Sequence, residues 1–330
     1  MSLSNGRLGL EDPVRAPATR AVPLPRAAAP PRGDADLPRY LRELTHLADR
    51  DGLEAAHAGC AVAMAEARRC ADPSALAAAH SLRASVARRR GDLRAAGHDA
   101  TTAADLLDAA GAGDREDAAM LLLARRLAVL LDIGDVATAE TLIDRSGGAP
   151  DDSPSALTLR YARGLLHAAA GRPGEGVSEL FACGERLGAR GTDHPLVLPW
   201  RSAAARILAG IGAAEAASRL VDEEIALIRR GGTRSALGRA LRIRAMVRTG
   251  SDALTLLDES VRLLAATPRR FEYAQVLVDQ AVLLTAARRR PQARRQLREG
   301  LALARRCGSP ALEERARTAY AAAGGKPRPA

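Results

Sequence analysis

The residues of this sequence that are best suited to chemistry, its histidines and cysteines, do not follow the spacing of a catalytic or metal site. No two of the four cysteines form a CxxC pair, and the six histidines form neither an HExxH nor an HxxxH pair. These are the spacings that hold zinc. We therefore expect no metal site, and free thiols of the kind found in a reducing cytoplasm. The residues are Cys60, Cys70, Cys183 and Cys307, with His46, His57, His80, His98, His167 and His194.

Nucleophilic and nucleotide chemistry also lack their sequence signals. No GxSxG segment marks a nucleophile turn, and no GxxxxGK[ST] segment is present to hold phosphates. Lys326 is the only lysine, and Pro327 follows it where a P-loop needs Ser or Thr. The sequence therefore predicts a protein that is not an enzyme, takes no cofactor and does not bind ATP.

Arginine is the remaining residue type that could hold a ligand, through paired hydrogen bonds to a carboxylate or phosphate. Arg206 and Arg244 each stand six residues before a turn signal, in consecutive units of a repeat. This matched position predicts that both face a concave groove and act together on one anionic group. Tyr161, Ser202 and Gln280, each ten residues before a turn, are predicted to face the same groove. The alternative is that all five are ordinary exposed side chains.

The elements that position these residues follow from composition and periodicity. Hydrophobic residues make up 47% of the chain and aromatic residues only 2%. Ala and Leu are strong helix formers, whereas a sheet protein would need more β-branched and aromatic residues. Apolar residues recur three and four apart, as at Val221, Ile225 and Ile228. This period predicts amphipathic helices and an all-α fold.

Seven turn signals divide the helical part into units of 36 to 43 residues. The signals are Asp51-Gly52, Gly91-Asp92, Gly134-Asp135, Gly171-Arg172-Pro173, Gly212, Gly250-Ser251 and Arg290-Pro291. The small residues that follow them are Ala56, Ala96, Ala139, Gly176, Ala217, Ala253 and Ala293. A small side chain lets the two helices of a hairpin cross closely, and such a period is typical of repeat proteins. We predict a tetratricopeptide-like α-solenoid of about seven helical hairpins, extended and right-handed, with a concave inner face.

The chain divides into three parts. Residues 1–35 hold six prolines among Arg, Ala and Gly, which predicts a disordered lead. Residues 36–323 form the helical-repeat superhelix, and residues 324–330 a flexible tail. No segment approaches 18 uninterrupted apolar residues, and no secretory signal is evident. We expect a cytoplasmic protein that does not contact a membrane.

Trp200 is the only tryptophan, and it lies in the segment HPLVLPWRS. It shares a helix face with Ala204 and Ile207, four and seven residues further on. We expect the indole to pin the start of this helix onto the preceding hairpin, close to Phe181. The alternative is that Trp200 anchors a partner at the edge of the groove.

Positive charge is concentrated towards the C-terminus. The net charge of the chain is +10, and residues 229–330 hold 22 Lys and Arg against 8 Asp and Glu. No aromatic residues interleave with the arginine runs for base stacking. We interpret the runs as solvated faces and as cations at helix C-termini, with weak, non-specific nucleic-acid binding at most. Nucleic-acid contact is the alternative.

Four segments carry a resemblance to a known family. They are residues 81–96 (SLRASVARRRGDLRAA), 159–205, 239–250 (RALRIRAMVRTG) and 297–324, of which the PW tract and the LARRCG ending are the most specific parts. Through them, residues 37–323 resemble the tetratricopeptide-like region of the large ATP-binding LuxR-family transcriptional regulators of actinomycetes. That family also carries an ATPase module and a helix-turn-helix domain, and this sequence shows the motifs of neither. The resemblance implies a sensor or interaction module in transcription regulation.

The predicted function is therefore non-catalytic binding. The concave face would take a peptide, a partner protein or a small effector, either in a fragment of a LuxR-family-like regulator or in a stand-alone relative. A second hypothesis is a stand-alone scaffold that docks partner enzymes and has no link to transcription.

Overall fold

The computed structural model of the protein describes residues 29–110, 116–146 and 152–325. In these ranges the regular elements are a 3-10 turn at Asp34–Asp36 and fifteen α-helices, and no strand occurs in them. The helices are α1 (Leu37–Asp49), α2 (Leu53–Arg69), α3 (Pro73–Arg90), α4 (Leu93–Ala109), α5 (Glu116–Ile133), α6 (Val136–Asp144), α7 (Pro154–Ala169), α8 (Pro173–Ala189), α9 (Trp200–Gly210), α10 (Ala214–Gly231), α11 (Arg234–Met246), α12 (Gly250–Ala265), α13 (Arg270–Ala286), α14 (Arg290–Cys307) and α15 (Pro310–Ala322).

Fourteen of these helices pair into seven successive hairpins, from α1 with α2 to α13 with α14, and α15 packs on the last hairpin. The first five turn signals lie at the loops between the two helices of a hairpin. The last two signals, Gly250 and Arg290, are instead the first residues of α12 and α14. The predicted fold class, an all-α solenoid of about seven hairpins, is confirmed.

Local side-chain caps help to fix where the helices begin. Six residues at helix N-caps accept hydrogen bonds from backbone N–H groups two or three residues further on, which would otherwise lack an acceptor. They are Asp72, Asp92, Asp135, Ser153, Thr233 and Ser309. Four of the hairpin turns contain a glycine at positive φ, a conformation that side chains with a Cβ disfavour: Gly91 at 89°, Gly134 at 93°, Gly171 at 80° and Gly212 at 85°.

The seven small residues after the turns are all buried where the two helices of each hairpin cross. Gly176 on α8 shows the reason. A Cβ at this position would lie 2.7 Å from the carbonyl oxygen of Gly164 on α7. The close approach of α7 and α8 therefore requires glycine, as the repeat pattern predicts.

The superhelix closes on itself, because its first hairpins contact its last ones. Asp51, between α1 and α2, accepts a hydrogen bond of 3.0 Å from Nε of Arg269, just before α13. Ser309, before α15, donates a hydrogen bond of 2.6 Å to the carbonyl oxygen of Asp132 on α5. Leu93 at the start of α4 also belongs to the apolar cluster of α13 to α15. The prediction that the solenoid is extended is therefore wrong, because contacts between the first and last hairpins enclose its concave side.

Parts of the predicted termini fall outside the described residues. These are residues 1–28 of the predicted disordered lead and residues 326–330 of the predicted tail, including Lys326. Residues 29–33, at the end of the lead, have no regular secondary structure. None of the described helices combines the length and hydropathy that a membrane crossing requires.

Candidate functional site

The first helices of the hairpins enclose a channel inside the superhelix. Its wall comes from α1, α3, α5, α7 and α11, with the loop before α9 and Arg269. Among the described residues, no second helix of a hairpin contributes to this wall. The cavity volume is about 250 Å³, just below the roughly 300–1,000 Å³ that is usual for small-molecule pockets. The channel is the enclosed form of the concave face that the repeat pattern predicts.

Part of the channel wall is apolar. Leu82, Leu165 and Leu198 line it, together with Tyr161 of α7. Burial raises the pKa of the Tyr161 hydroxyl to about 12, so this hydroxyl stays neutral and is able to donate or accept a hydrogen bond. Tyr161 thus lies on the concave side, as the sequence predicts. Its role in ligand binding stays a prediction.

Most of the arginines in the channel wall are neutralised by carboxylates. Burying a guanidinium is costly unless a counter-charge and hydrogen bonds compensate for the lost water. The pairs are Arg88 with Asp132, Arg89 with Asp49, Arg239 with Glu272 and Arg269 with Asp51, at N–O distances of 2.7, 2.6, 3.5 and 3.0 Å. These four pairs carry no net charge, so any excess charge of the channel comes from other residues.

Arg125 on α5 is a channel arginine for which no described carboxylate lies within ion-pair distance. Its Nη1 donates a hydrogen bond of 2.8 Å to the hydroxyl of Ser81, a neutral group. Burial, and then the positive charge of Arg89, lower the pKa of the Arg125 guanidinium to about 10. Both effects disfavour the charged form, and an anion beside Arg125 would relieve them.

Arg206 on α9 is a second arginine without an ion pair among the described residues. Its side chain is open to solvent, but the surrounding protein still displaces much of its water. This partial burial is the main cause that lowers the pKa of the Arg206 guanidinium, and the positive charge of Arg242 adds to it. The nearby Tyr161 and Asp132 act in the opposite direction. Arg206 therefore lies close enough to the channel residue Tyr161 to interact with it electrostatically, but it is exposed and does not itself line the channel.

Arg244 does not join Arg206. Its Nε lies 2.8 Å from Oδ1 of Asp222 on α10, so a carboxylate already neutralises it. The arginine of α11 whose charge acts on Arg206 is Arg242, two residues earlier. The predicted pair of Arg206 and Arg244 is therefore wrong in its register, since two residues rotate a helical side chain by about 200°.

Ser202 and Gln280 are likewise bound within the protein rather than free in the groove. Ser202 is buried, and its backbone N–H donates a hydrogen bond of 2.8 Å to Glu224, which also accepts from the hydroxyl. Gln280 is 2% exposed. It donates to Asp258 and accepts a hydrogen bond of 2.6 Å from Gln296. Their predicted place as groove-lining residues is wrong, because both tie neighbouring helices together.

Trp200 packs against the preceding hairpin, close to Phe181, as we expect from the sequence. The residue begins α9 and is 8% exposed, with its ring centroid 5.7 Å from that of Phe181 in an edge-on arrangement. Its Nε1 donates a hydrogen bond of 3.0 Å to Asp193, and the guanidinium of Arg201 lies 4.4 Å from the ring centroid. A Cβ at Gly184 on α8 would overlap the indole. The alternative, an exposed anchor for a partner, does not fit this burial.

Sequence reasoning missed the residues that give the channel its charge. Arg125 and Arg269 were not singled out, because no motif surrounds them. Asp51 and Arg239 were noted only as part of a turn signal and of a segment that carries the family resemblance, without a role in the site. A signal did exist for Arg125: it interrupts the apolar run of α5, LLLARRLAVLL, together with Arg126. Such an interruption of an apolar run predicts a charged side chain at a cavity, and of the two arginines only Arg125 lines the channel.

The arginines near the C-terminus are partly engaged inside the protein. Nη1 of Arg294 donates a hydrogen bond of 3.0 Å to the carbonyl oxygen of Ala323 at the end of α15, and Nε of Arg305 lies 2.8 Å from Oε1 of Glu313. In the first contact Arg294, near the beginning of α14, caps the C-terminus of another helix, α15. Arg305 and Arg306 are the arginines in the last turn of α14, where the sequence predicts cations. As to metals, no three His, Cys, Asp or Glu side chains within the described ranges are grouped to hold one.

Comparisons with known proteins give a likeness in structure. No protein-family model matches the sequence, and no curated protein matches it. A solved Rap protein complexed with Competence and Sporulation Factor has a TM-score of 0.66 at 14% identity, over 86% of this chain and 78% of that one. A tetratricopeptide repeat protein from Parabacteroides merdae has a TM-score of 0.46 at 15% identity, over 88% and 100%. The likeness to the Rap protein shows the fold, a tetratricopeptide-type α-solenoid.

Proposed function

We propose that the protein binds a short acidic peptide in its channel, with carboxylates of the peptide at Arg125 and Arg206. The observation that carries this proposal is the charge of the concave side. Its paired arginines are matched by carboxylates, whereas Arg125 and Arg206 have no described carboxylate within ion-pair distance. A desolvated cation such as Arg125 favours an anionic ligand, because charge-assisted hydrogen bonds are strongest where water is excluded. The exposed Arg206 adds a second positive charge nearby.

The size and lining of the channel favour a short, extended ligand over a folded partner. A cavity of about 250 Å³ holds a few side chains and excludes a folded domain. Leu82, Leu165 and Leu198 offer apolar contact beside the cations, so a peptide that combines aliphatic and acidic residues matches both features. The solved Rap protein of the same fold is complexed with Competence and Sporulation Factor, which supports a partner-binding role for this chain.

The cellular role that we propose for this binding comes from the family resemblance of the sequence. The resemblance of residues 37–323 to the repeat region of LuxR-family regulators supports a non-catalytic sensor in transcription regulation, acting in the cytoplasm. A scaffold for partner enzymes would instead expose its binding surface on the outside of the solenoid. The unpaired Arg125 inside the channel favours the sensor.

Calorimetric titration of the full chain with short peptides tests the proposal. Hexapeptides that contain Leu and two Asp or Glu residues should bind, and the same peptides with Asn or Gln should bind more weakly. Replacing either arginine, as Arg125→Gln or Arg206→Gln, should weaken binding about tenfold or more, the effect of losing one charge-assisted hydrogen bond of roughly 1.5–3 kcal/mol.

Arg295→Gln on α14 is the matched control, because Arg295 is exposed and lies outside the channel. This variant should bind like the natural protein. Small dicarboxylates form a separate arm: if they bind and no acidic peptide does, the ligand is a small anion and the peptide proposal is wrong. Equal binding of acidic and neutral peptides would remove the role given to Arg125 and Arg206.

A further inference from the structure

A second cavity lies at the seam where the superhelix closes, outside the channel. We call it the seam pocket, and it is formed by α4, α5, α6 and the turn between α14 and α15. Its volume is about 730 Å³, well inside the range of roughly 300–1,000 Å³ that small-molecule sites occupy. Gly308 and Pro310 of the C-terminal turn contribute to its wall beside the three earlier helices. A molecule bound there would contact both ends of the superhelix.

The wall of the seam pocket is mostly hydrocarbon. Leu93, Val129, Leu130, Ile133 and Leu142 line it. Leu93 and Val129 are buried, and the other three are half-buried, so apolar surface remains open to the cavity. Such a concave apolar surface favours a ligand with a hydrocarbon body, because burial of apolar area drives binding.

A glycine in the middle of α4 keeps the pocket open. Gly97 lines the cavity, and a Cβ built on it would meet no atom within 4 Å. Neither packing nor a turn therefore requires glycine here, and glycine costs a helix interior about 1 kcal/mol relative to alanine. At Gly176, by contrast, the neighbouring helix leaves no room for a Cβ. The missing side chain of Gly97 therefore enlarges the pocket.

Two arginines give the seam pocket a positive charge. Arg94 on α4 and Arg126 on α5 both line it, and within the described part of the chain neither guanidinium has an ion pair. One carboxylate, that of Asp135, also lines the pocket, but it accepts the backbone N–H of Thr138 as the cap of α6. The two arginines therefore outweigh it, and they leave cationic hydrogen-bond donors beside an apolar cavity.

We propose that the seam pocket binds a small amphipathic anion, a molecule with a hydrocarbon body and one carboxylate. The hydrocarbon lies against the leucines and valine of α4 to α6, and the carboxylate accepts hydrogen bonds from Arg94 and Arg126. Since Gly308 and Pro310 close the same cavity, the bound molecule stabilises the contact between the two ends of the superhelix. This site is independent of the channel and of its proposed peptide.

Three ten-carbon probes with different head groups test the proposal on the full chain: decanoate, 1-decanol and decylamine. Calorimetry should show saturable binding of decanoate at about tenfold higher affinity, or more, than 1-decanol, and decylamine should bind more weakly still. Decanoate should also raise the midpoint of thermal unfolding, as any ligand that binds only the folded state does.

Filling the pocket gives the sharpest variant. Gly97→Phe places a ring in the open space of the cavity and should abolish decanoate binding while circular dichroism and the thermal midpoint stay at or above those of the natural protein. Gly188→Phe on α8 is the matched control, because a Cβ at Gly188 also meets no atom within 4 Å and the residue is exposed outside the pocket. It should bind decanoate normally.

The double variant Arg94→Gln, Arg126→Gln tests the charge separately. It should keep its fold and lose the preference for decanoate over 1-decanol. It also decides the proposal if Gly97→Phe fails to fold. Absence of saturable decanoate binding, equal affinity for the three head groups, or normal binding by a folded Gly97→Phe protein would each overturn the proposal.

Discussion

Arg269 donates from Nε to Oδ1 of Asp51 at 3.0 Å, across 218 residues of sequence. The guanidinium side chain is only 4% exposed and the carboxylate side chain 16%. Asp51 also accepts a hydrogen bond of 3.2 Å from the backbone N–H of Ser235, and it accepts from the Ser235 hydroxyl. One aspartate in the first hairpin turn thus binds the beginnings of α11 and α13, and it closes the channel at this point.

Replacing this carboxylate should weaken the closure. In Asp51→Asn, Arg269 keeps only Glu272, whose Oε1 lies 3.3 Å from its Nη1, so we expect a loss of about 1–3 kcal/mol in the free energy of unfolding. Asparagine tolerates the positive φ of 66° at this position, which isolates the effect of charge. Urea unfolding at pH 7 measures it. Asp108→Asn, at an exposed position on α4, is the control and should unfold at the urea concentration of the natural protein.

The same pair predicts a pH dependence. Burial opposes ionisation of Asp51, but the charge of Arg269 and the hydrogen bonds from Ser235 and Arg269 outweigh it and lower the pKa below the ordinary 3.8. A carboxyl with a lowered pKa in the folded state stabilises the fold at neutral pH and loses this effect as the pH falls through the folded pKa. The stability difference between the natural protein and Asp51→Asn should therefore stay constant from pH 7 to about 5 and shrink below about 4. A difference that grows in acid would contradict the assignment.

Trp200 offers a test with a single fluorophore. Because its indole is buried against Phe181 and α8, the native emission should be blue-shifted and should move to the red on unfolding. Trp200→Ala should lose about 3–5 kcal/mol of stability, the usual cost of truncating a buried aromatic residue. Native emission like that of free tryptophan, with unchanged stability in the variant, would contradict this packing.

Two glycines should respond in opposite directions to the same substitution. Gly176→Ala places a Cβ against the carbonyl oxygen of Gly164 and should destabilise the protein by about 1–3 kcal/mol, the usual cost of overpacking. Gly97→Ala meets open space and should stabilise it by up to about 1 kcal/mol through helix propensity. Thermal or urea unfolding of the two variants gives the comparison. Equal effects would mean that the α7–α8 crossing does not depend on a small residue.

The four cysteines should differ sharply in reactivity. Burial raises the pKa of the Cys60 and Cys183 thiols to about 12 and that of Cys307 to about 11, so little reactive thiolate forms at neutral pH. Only Cys70 is partly exposed. An aromatic disulfide reagent should modify one thiol quickly in the native protein, and Cys70→Ser should remove this phase. Two fast thiols, or a fast phase that survives in Cys70→Ser, would disagree with the burial of the other three.

Binding to DNA should be weak and strongly dependent on salt. Several C-terminal arginines already contact protein groups, as Arg294 does with Ala323 and Arg305 with Glu313. Affinity for duplexes of any sequence should fall with a log–log slope of about −0.9 per neutralised phosphate. Fluorescence anisotropy at increasing salt measures the slope, and binding that persists at physiological salt with sequence preference would contradict the prediction.

The sequence predicts those parts of the fold that depend on local spacing. Turn signals and small residues recur at one period. Each small residue is explained by its close contact with the other helix of the same hairpin. The contact of Trp200 with Phe181 belongs to the same class, since both lie on adjacent elements. Closure does not. Nothing in the residues around Asp51 points to Arg269, because the contact depends on the accumulated rotation of six hairpins.

The error in the predicted site has a definite physical origin. Gly212 is the middle residue of the loop 211–213, whereas Gly250 follows the loop 247–249. Counting six residues back from the two glycines therefore compares positions that differ by two residues, and Arg242 rather than Arg244 is the counterpart of Arg206. Arg290 likewise follows its loop, 287–289, so Gln280 stands eight residues before the middle of that loop rather than ten. A shift of two residues leaves a helix assignment intact and moves a side chain to the opposite face.

Closure also constrains how this chain can evolve. An open array of repeats gains or loses a unit at little cost, since each unit contacts only its neighbours. Here, one hairpin more or fewer would carry Arg269 and Ser309 away from Asp51 and the Asp132 carbonyl. Duplication of a repeat would therefore break the contacts that close the superhelix. Selection then acts on the number of hairpins, seven, as well as on the residues of each repeat.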